Sequence, residues 1–234
     1  MTAYNPAQAY GRFADRAQAG QALAQALAKM HLRDPVVLAL PRGGVPLGYE
    51  VAKVLGAPLD IIMVRKIGAP GHKEYGIGAL VDGSSPQIVI DEAAARMVGA
   101  SEAYIEREVA SELAEVERRR AAYRTGPPVS VQGRTVIVVD DGIATGNTVR
   151  AALQALAKAK PARVVLAVPV SPRDTLAGLR GMCDDLVCLI APEPFYAVGA
   201  HYDDFGQTSD AEVVELLANA RQDAGSRVGN SPGT

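Results

Sequence analysis

The chain has 234 residues, 48% of them hydrophobic and 21% charged, with a formal net charge of -2 and a pI near 6.0. These are ordinary values for a globular protein long enough to bury a sizeable core. They leave no basic tail or charge block for nucleic acid, and no run approaches the apolar length needed to cross a membrane. Cys183 and Cys188 fit neither a disulfide framework nor a zinc cluster, and the N-terminus lacks an apolar export segment, so a cytoplasmic protein is expected.

Residues 1 to 12 are polar and turn-like. Asp15 is placed to cap a helix running to about Met30, in which Leu23, Leu27 and Met30 recur at the spacing of one buried face. Arg12 and Arg16 lie before and within its first turn, where the helix dipole disfavours cations; the position suits an edge facing an anion. Val36 to Leu40 form a first buried strand, which stops at Pro41-Arg42-Gly43-Gly44. Val45-Pro46 then opens a helix through about Leu55, with Gly56 just past its end. At that rim Arg42 offers a bidentate guanidinium beside bare main-chain N–H groups, a combination suited to a phosphate or pyrophosphate.

Leu59 to Val64 read as the next strand, ending in Arg65-Lys66. The segment from Ile67 to Gly78 is rich in glycine and carries His72, Lys73, Glu74 and Tyr75 together. Packing gives little reason for such a group, whereas a flexible loop closing over a ligand would exclude water and bring Lys73 to a departing anion. A surface hairpin is the competing reading. It is favoured by the alternation of Ile77, Ala79 and Val81, and by a short strand from Gln87 to Ile90 across the Asp82-Gly83-Ser84-Ser85 turn.

From Asp91 to about Tyr123 the pattern is helical, interrupted near Val98-Gly99. Ser101 is a plausible N-cap for the longer piece, and Ile105, Val109, Leu113 and Val116 form its narrow apolar stripe. Pairs Glu115–Arg119 and Glu117–Arg120 are expected to add a few tenths of a kcal/mol each. Arg118, Arg119 and Arg120 read as a solvated face, a complement to the helix dipole or a dimer contact.

After the Thr125 to Ser130 connector comes the most informative stretch, TVIVVDDGIATGNT from Thr135 to Thr148. Val136 to Val139 have the length and branching of a buried parallel strand. Asp140 and Asp141 then stand at its carboxyl end, the rim where α/β sheets bind ligands, and can accept hydrogen bonds from ligand hydroxyls. Gly142, Ile143, Ala144, Thr145, Gly146, Asn147 and Thr148 follow as a turn opening a helix from about Asn147 to Lys158, which buries Val149, Leu153 and Leu156. Glycines allow close approach, the N–H groups and side chains donate, and the helix N-terminus favours an anion. A phosphate can therefore sit there without a lysine. The turn is neither a Walker loop nor GxGxxG. Doublet and turn together suggest a diol beside a phosphate, a ribose 5-phosphate unit. A polyanion next to two carboxylates calls for a cation between them, Mg2+ first.

Arg163 to Val168 and Leu186 to Ile190 complete the strands, with a helix near Asp174 to Leu179 between them. Strands alternating with helices mean a mostly parallel sheet covered on both faces. The loop from Ala191 to Phe205 gathers Phe195, Tyr196, Tyr202 and Phe205, poor use of hydrophobic area unless they cover something planar or pack locally. A helix from about Asp210 to Ala220 follows, then residues 222–234 as a disordered tail.

The hydrophobic run, acidic pair and xxTGxT of Val136 to Thr148 resemble, without a gap, the phosphoribosyl pyrophosphate signature of the type I phosphoribosyltransferases. Roughly Asp34 to Asp204 can be laid over that family. The resemblance implies an α/β fold with a mostly parallel central sheet flanked by helices, in a single domain over residues 1–221. Its core would span about 34–190, with a helical insertion at about 91–124. A small C-terminal hood at about 191–208 would be joined by the N-terminal segment.

The resemblance also implies roles. Gly142 to Thr148 would hold the 5-phosphate, and Asp140 and Asp141 the ribose 2- and 3-hydroxyls. Pro41, Arg42, Gly43 and Gly44, with Arg65 and Lys66, would bind pyrophosphate. His72, Lys73, Glu74 and Tyr75 would form the flexible catalytic loop, most similar to that of orotate-using members, and Phe195 or Tyr196 would stack on an acceptor base. The activity implied is Mg2+-dependent transfer of a 5-phosphoribosyl group between phosphoribosyl pyrophosphate and a base or amine. Arg42, Lys73, Asp140 and Asp141 would be its catalytic residues, and Mg2+ would be held mainly through ligand and water near the doublet. The partners implied are small molecules, with neither nucleic acid nor membrane, and family members often form homodimers. The alternative is a noncatalytic module sensing phosphoribosyl pyrophosphate or a nucleotide; intact Arg42, Lys73, Asp140 and Asp141 favour an enzyme.

Overall fold

The computed structural model describes residues 11–82, 86–123 and 126–228, apart from the side chains of Glu74 and residues 226–228. The polar residues 1–10, the turn residues Gly83, Ser84 and Ser85, Thr125 of the connector and the tail residues 229–234 lie outside that description. Eight strands are described: β1 (Pro35–Ala39), β2 (Leu59–Ile61), β3 (Val64–Ala69), β4 (His72–Val81), β5 (Gln87–Ile90), β6 (Thr135–Val139), β7 (Arg163–Val170) and β8 (Asp185–Ile190). The helices are α1 (Arg16–Ala28), α2 (Gly44–Leu55), α3 (Glu92–Met97), α4 (Glu102–Tyr123), α5 (Asn147–Lys158), α6 (Arg173–Leu179) and α7 (Asp210–Val228).

A five-stranded parallel sheet runs in the order β2-β1-β6-β7-β8, and β3-β4-β5 form a separate antiparallel sheet. From β1 the chain steps outward to β2, while from β6 it steps the other way to β7. The loops after β1 and β6 therefore diverge at a switch point, where open α/β sheets leave a crevice. Register makes this concrete: Ala39 pairs with Val139, so residues 40–44 and 140–144 leave the sheet side by side.

The period-2 alternation of buried strands sets the two faces. Val37, Ala39, Ile137 and Val139 pack with Leu23, Leu27, Leu47, Val51 and Leu217 of α1, α2 and α7. Val36, Leu38, Val136 and Val138 pack with Val149, Leu153 and Leu156 of α5 and with Ile62 and Val81 beside the hairpin. Each such side chain contributes about 1.5–3 kcal/mol by leaving water. Asp15 caps α1 as expected, its carboxylate accepting from the Gln18 N–H at 2.8 Å, and Gly56 ends α2 in the left-handed region.

Four expectations need correction. The strand expected from Leu59 to Val64 is divided, because the chain leaves β1 after Ile61 and Val64 pairs instead with Val81 of β4. The segment from Ile67 to Gly78 is no irregular loop: β3 and β4 form a hairpin through the turn Pro70-Gly71, so the competing hairpin reading holds. Arg120 pairs with the buried Asp82 rather than Glu117, while Glu115 receives both Arg118 and Arg119, which hold its carboxyl down to about 2. Finally, α7 continues to Val228, through residues expected to be tail, with Val213, Leu217 and Ala220 on its buried side.

The inserted helices have a defined place. Ala94 and Ala95 of α3 and Ile105 and Val109 of α4 pack on Ile67, Ala69 and Ile77 of the hairpin, and the Tyr104 hydroxyl donates to the Gly68 carbonyl at 3.0 Å. Farther along, Val116 and Tyr123 of α4 enter the α1/α2/α7 core. No helix among the described residues is long and apolar enough to cross a membrane.

Candidate active site

The loops after β1 and β6 touch. A Cβ on Gly43 would fall 2.0 Å from Oδ2 of Asp141, and one on Gly44 would fall 2.6 Å from the Val139 carbonyl oxygen. Only glycine lets the Pro41–Gly44 turn, whose Pro41–Arg42 peptide is cis, lie this close to the acidic doublet.

The turn after the doublet is pinned at alternate points. Gly142 is packed so closely that a Cβ would meet Val198 at 2.4 Å, and Ile143 is buried with its N–H donating to the Val170 carbonyl at 2.9 Å. Gly146 precedes α5 at φ +79°, a conformation that strongly favours glycine there. Ala144, Thr145, Asn147 and Thr148 are exposed, and the Ala144 carbonyl is held by the Thr175 hydroxyl at 2.8 Å. No side chain caps α5, and among the described residues none accepts from the N–H groups of residues 145–148. A fixed turn with open N–H groups at a helix N-terminus has the donors and the dipole that favour an anion.

Electrostatically the doublet is strained. Burial, and secondarily the Asp141 charge, push the Asp140 carboxyl well above its ordinary range; its Oδ1 accepts from the Asp141 N–H at 2.9 Å. Burial also raises Asp141, opposed by Arg16. Arg16 Nε donates to Asp141 Oδ2 at 2.9 Å, Nη2 lies 2.8 Å from the same oxygen, and Nη1 donates to the Gly206 carbonyl at 2.6 Å. The guanidinium sits 3.9 Å over the ring of Phe205. Tyr202, raised by burial, donates its hydroxyl to the Asp141 carbonyl at 2.6 Å.

The segment around Phe13 and residues 201–203 are laced together. The Phe13 N–H donates to the His201 carbonyl and the Asp203 N–H to the Phe13 carbonyl, both at 2.8 Å, and Arg12 pairs with Asp203 at 3.1 Å. This lacing is what delivers Arg16 to Asp141, residues far apart in the chain.

Other expected residues lie elsewhere. Arg42 Nη1 is 3.5 Å from Asp210, which also accepts from the Tyr123 hydroxyl at 2.6 Å. Arg65 is bound to Glu112 of α4 at 2.6 Å, and Lys73, its side chain 80% exposed, is 3.8 Å from Glu108. Lys66, His72 and Tyr75 are exposed, and the Glu74 side chain lies outside the description. The structure therefore brings together residues 41–44 and 140–148 but points Arg65 and Lys73 at α4. Phe195 stacks on His201 at 5.8 Å and packs on the core, and Tyr196 is 83% exposed. Tyr202 reaches the doublet directly, and Phe205 reaches it through Arg16. Their signal was present only as membership of the aromatic loop.

Among the described residues no group of three or more His, Cys, Asp or Glu could hold a metal. A cation here would take most of its ligands from a bound molecule, with the under-compensated carboxylates of Asp140 and Asp141 nearby to welcome its charge.

Fold and site together define an α/β domain with a switch point between β1 and β6, flanked there by an acidic doublet and a glycine turn that opens a helix. The family model of the phosphoribosyl transferase domain matches residues 10–204. TT1426 of Thermus thermophilus superposes with a TM-score of 0.76 and 42% identity, covering 89% of this chain and 98% of that one. A Mycobacterium tuberculosis protein bearing the name putative phosphoribosyl transferase is 43% identical over 212 residues, 90% of this chain and 47% of its own. A shorter stretch of 46 residues, 19% of this chain and 25% of the relative, is 52% identical to the bifunctional protein PyrR of Chloroflexus aurantiacus. The chain belongs to the type I phosphoribosyltransferase family. It spans about half the length of the mycobacterial relatives it matches.

Proposed function

We propose that the chain catalyses Mg2+-dependent transfer of a 5-phosphoribosyl group between phosphoribosyl pyrophosphate and a nitrogen of a base or amine, releasing pyrophosphate. The observation that carries this reading is the convergence of two glycine turns on one acidic doublet, with Gly43 against Asp141 and the open turn of residues 142–148 beyond it.

In this reading the N–H groups and side chains of residues 142–148 take the 5-phosphate, and Asp140 and Asp141 accept from the ribose hydroxyls. The main chain of Gly43 and Gly44 faces the pyrophosphate, and Arg42 joins it by leaving its 3.5 Å pair with Asp210. As pyrophosphate departs, carbon 1 of the ribose gains positive charge; no protein nucleophile is required, only a ribose held still and a neutralised leaving group. Bound with the donor, Mg2+ supplies charge that lets a polyanion lie beside two carboxylates and eases pyrophosphate away. Lys73 sits just past the hairpin tip in a long, 3.8 Å ion pair with Glu108, so a modest closure frees it to add a cation there. Removal of one preorganised charge partner in such a site costs roughly 100-fold in turnover, about 3 kcal/mol.

The test is release of pyrophosphate from phosphoribosyl pyrophosphate over a panel of free bases and amines. Turnover with at least one acceptor, abolished by a chelator, is expected. Silence across the panel despite tight binding of the donor would overturn the enzyme reading in favour of a noncatalytic sensing module.

A further inference from the structure

We propose that Arg16 is the specificity-determining residue of the acceptor subsite, selecting a planar ring that carries a carboxylate or a ring carbonyl; the inference rests on the phosphoribosyl-transfer reading above. The doublet is bounded by the 142–148 turn and by the Pro41–Gly44 turn, the two surfaces assigned to phosphate and pyrophosphate. Its remaining side is closed by Arg16, Phe205 and Tyr202. An acceptor attacking a ribose held by the doublet has to arrive from that side.

The guanidinium there is fixed in plane and direction. Nε and Nη2 hold Asp141 Oδ2, Nη1 holds the Gly206 carbonyl, and Phe205 supports one face at 3.9 Å. Nη1 and Nη2 each retain an N–H for which no described residue offers an acceptor, and the side chain is only 13% exposed. These N–H groups are shielded from most solvent, so a ligand whose acceptors match them gains and one that presents donors to them is rejected. Guanidinium has donors and no acceptor atom. Its partner must therefore bring lone pairs, as a carboxylate or ring carbonyl does, whereas an ammonium or an amino-only edge would meet donor with donor. Asp141 commits Oδ2 to Arg16 and keeps Oδ1 for a ribose hydroxyl, so the two duties do not compete.

Calorimetry with acceptors sharing a ring tests this: nicotinate against pyridine, orotate against pyrimidine, and hypoxanthine against adenine, each titrated into the full chain with Mg2+ and pyrophosphate. In at least one pair the carboxylate- or oxo-bearing member should bind about 30-fold tighter. Arg16→Met should lower that ratio by about tenfold or more, and Arg16→Lys, which keeps the charge without the fork, should restore it only in part. A merely structural Arg16, acting by holding Asp141, would weaken both members equally and leave the ratio unchanged. That result, or no preference in any pair, overturns the proposal. Titration of phosphoribosyl pyrophosphate separates the two readings: if the native chain fails to bind it while the ratio still depends on Arg16, the transfer reading falls and Arg16 stands as the selecting residue of this crevice.

Discussion

The turn after β6 is built into the core, whereas the β3–β4 hairpin stands on it. In the turn, glycines at 142 and 146 meet neighbouring side chains at 2.4 Å and 2.9 Å from where a Cβ would lie, and Ile143 is buried between them. In the hairpin, Ile67, Ile77, Leu80 and Val81 are buried at the base and Asp82 is fastened to Arg120, but His72, Lys73 and Tyr75 near the tip are exposed and Gly71 has open space around it. In the proposed reaction the two glycine-rich segments serve opposite needs. Binding geometry has to be in place before the ligand arrives, so its glycines are there for close approach. A closing element needs a firm base and a tip with few contacts to lose.

The comparison can be broken at several points. The largest effect should come at the hairpin base: Arg120→Ala leaves the Asp82 side chain, 0% exposed, without that charge, and should cost about 3–5 kcal/mol in denaturant unfolding. Next, Gly43→Ala should displace Asp141 and cut turnover at least about 100-fold, near 3 kcal/mol, for a stability loss of about 1–3 kcal/mol. Its counterpart Gly71→Ala, at φ +73° in open space, should cost only about 1–2 kcal/mol of stability and leave donor binding alone, as calorimetry would record. Lys73→Ala should lower turnover by about 10–100-fold, about 1.4–2.7 kcal/mol, while shifting stability by less than about 0.5 kcal/mol.

The smallest effect is opposite in sign. Because burial raises the Asp140 carboxyl, folding favours its protonated form; that contribution is full below the unfolded-state value and is lost as pH rises through the folded-state one. Asp140→Asn has no such ionisation. In the ligand-free protein it should raise the thermal midpoint by about 2–4 °C at neutral pH, the shift corresponding to about 1 kcal/mol, with the gain vanishing in acid.

Most of the parallel sheet was legible because strands buried on both faces read as apolar runs, and α5 matched Asn147–Lys158 because its buried face repeats at helical spacing. The doublet and its turn were legible because their residue types have few other uses at a strand's end. What the sequence hid was pairing across distance. Arg16 was visible as a misplaced cation, but its bond to Asp141 depends on the lacing of Phe13 to residues 201–203, and nothing local encodes that. Arg65 and Arg120 looked like site and surface residues because Glu112 and Asp82, their partners, are far along the chain. Phe205 was hidden among neighbouring aromatics, since residue type alone cannot tell which ring faces a pocket.

The claim on which the site depends is that Asp140 and Asp141 grip the ribose of a donor whose phosphate lies in the following turn. Titration of phosphoribosyl pyrophosphate with and without Mg2+, into the native chain and into the Asp140→Asn, Asp141→Asn double variant, tests it most directly. Binding should tighten with Mg2+ in the native chain and lose that gain in the variant; equal, Mg2+-enhanced binding by both would contradict the assignment.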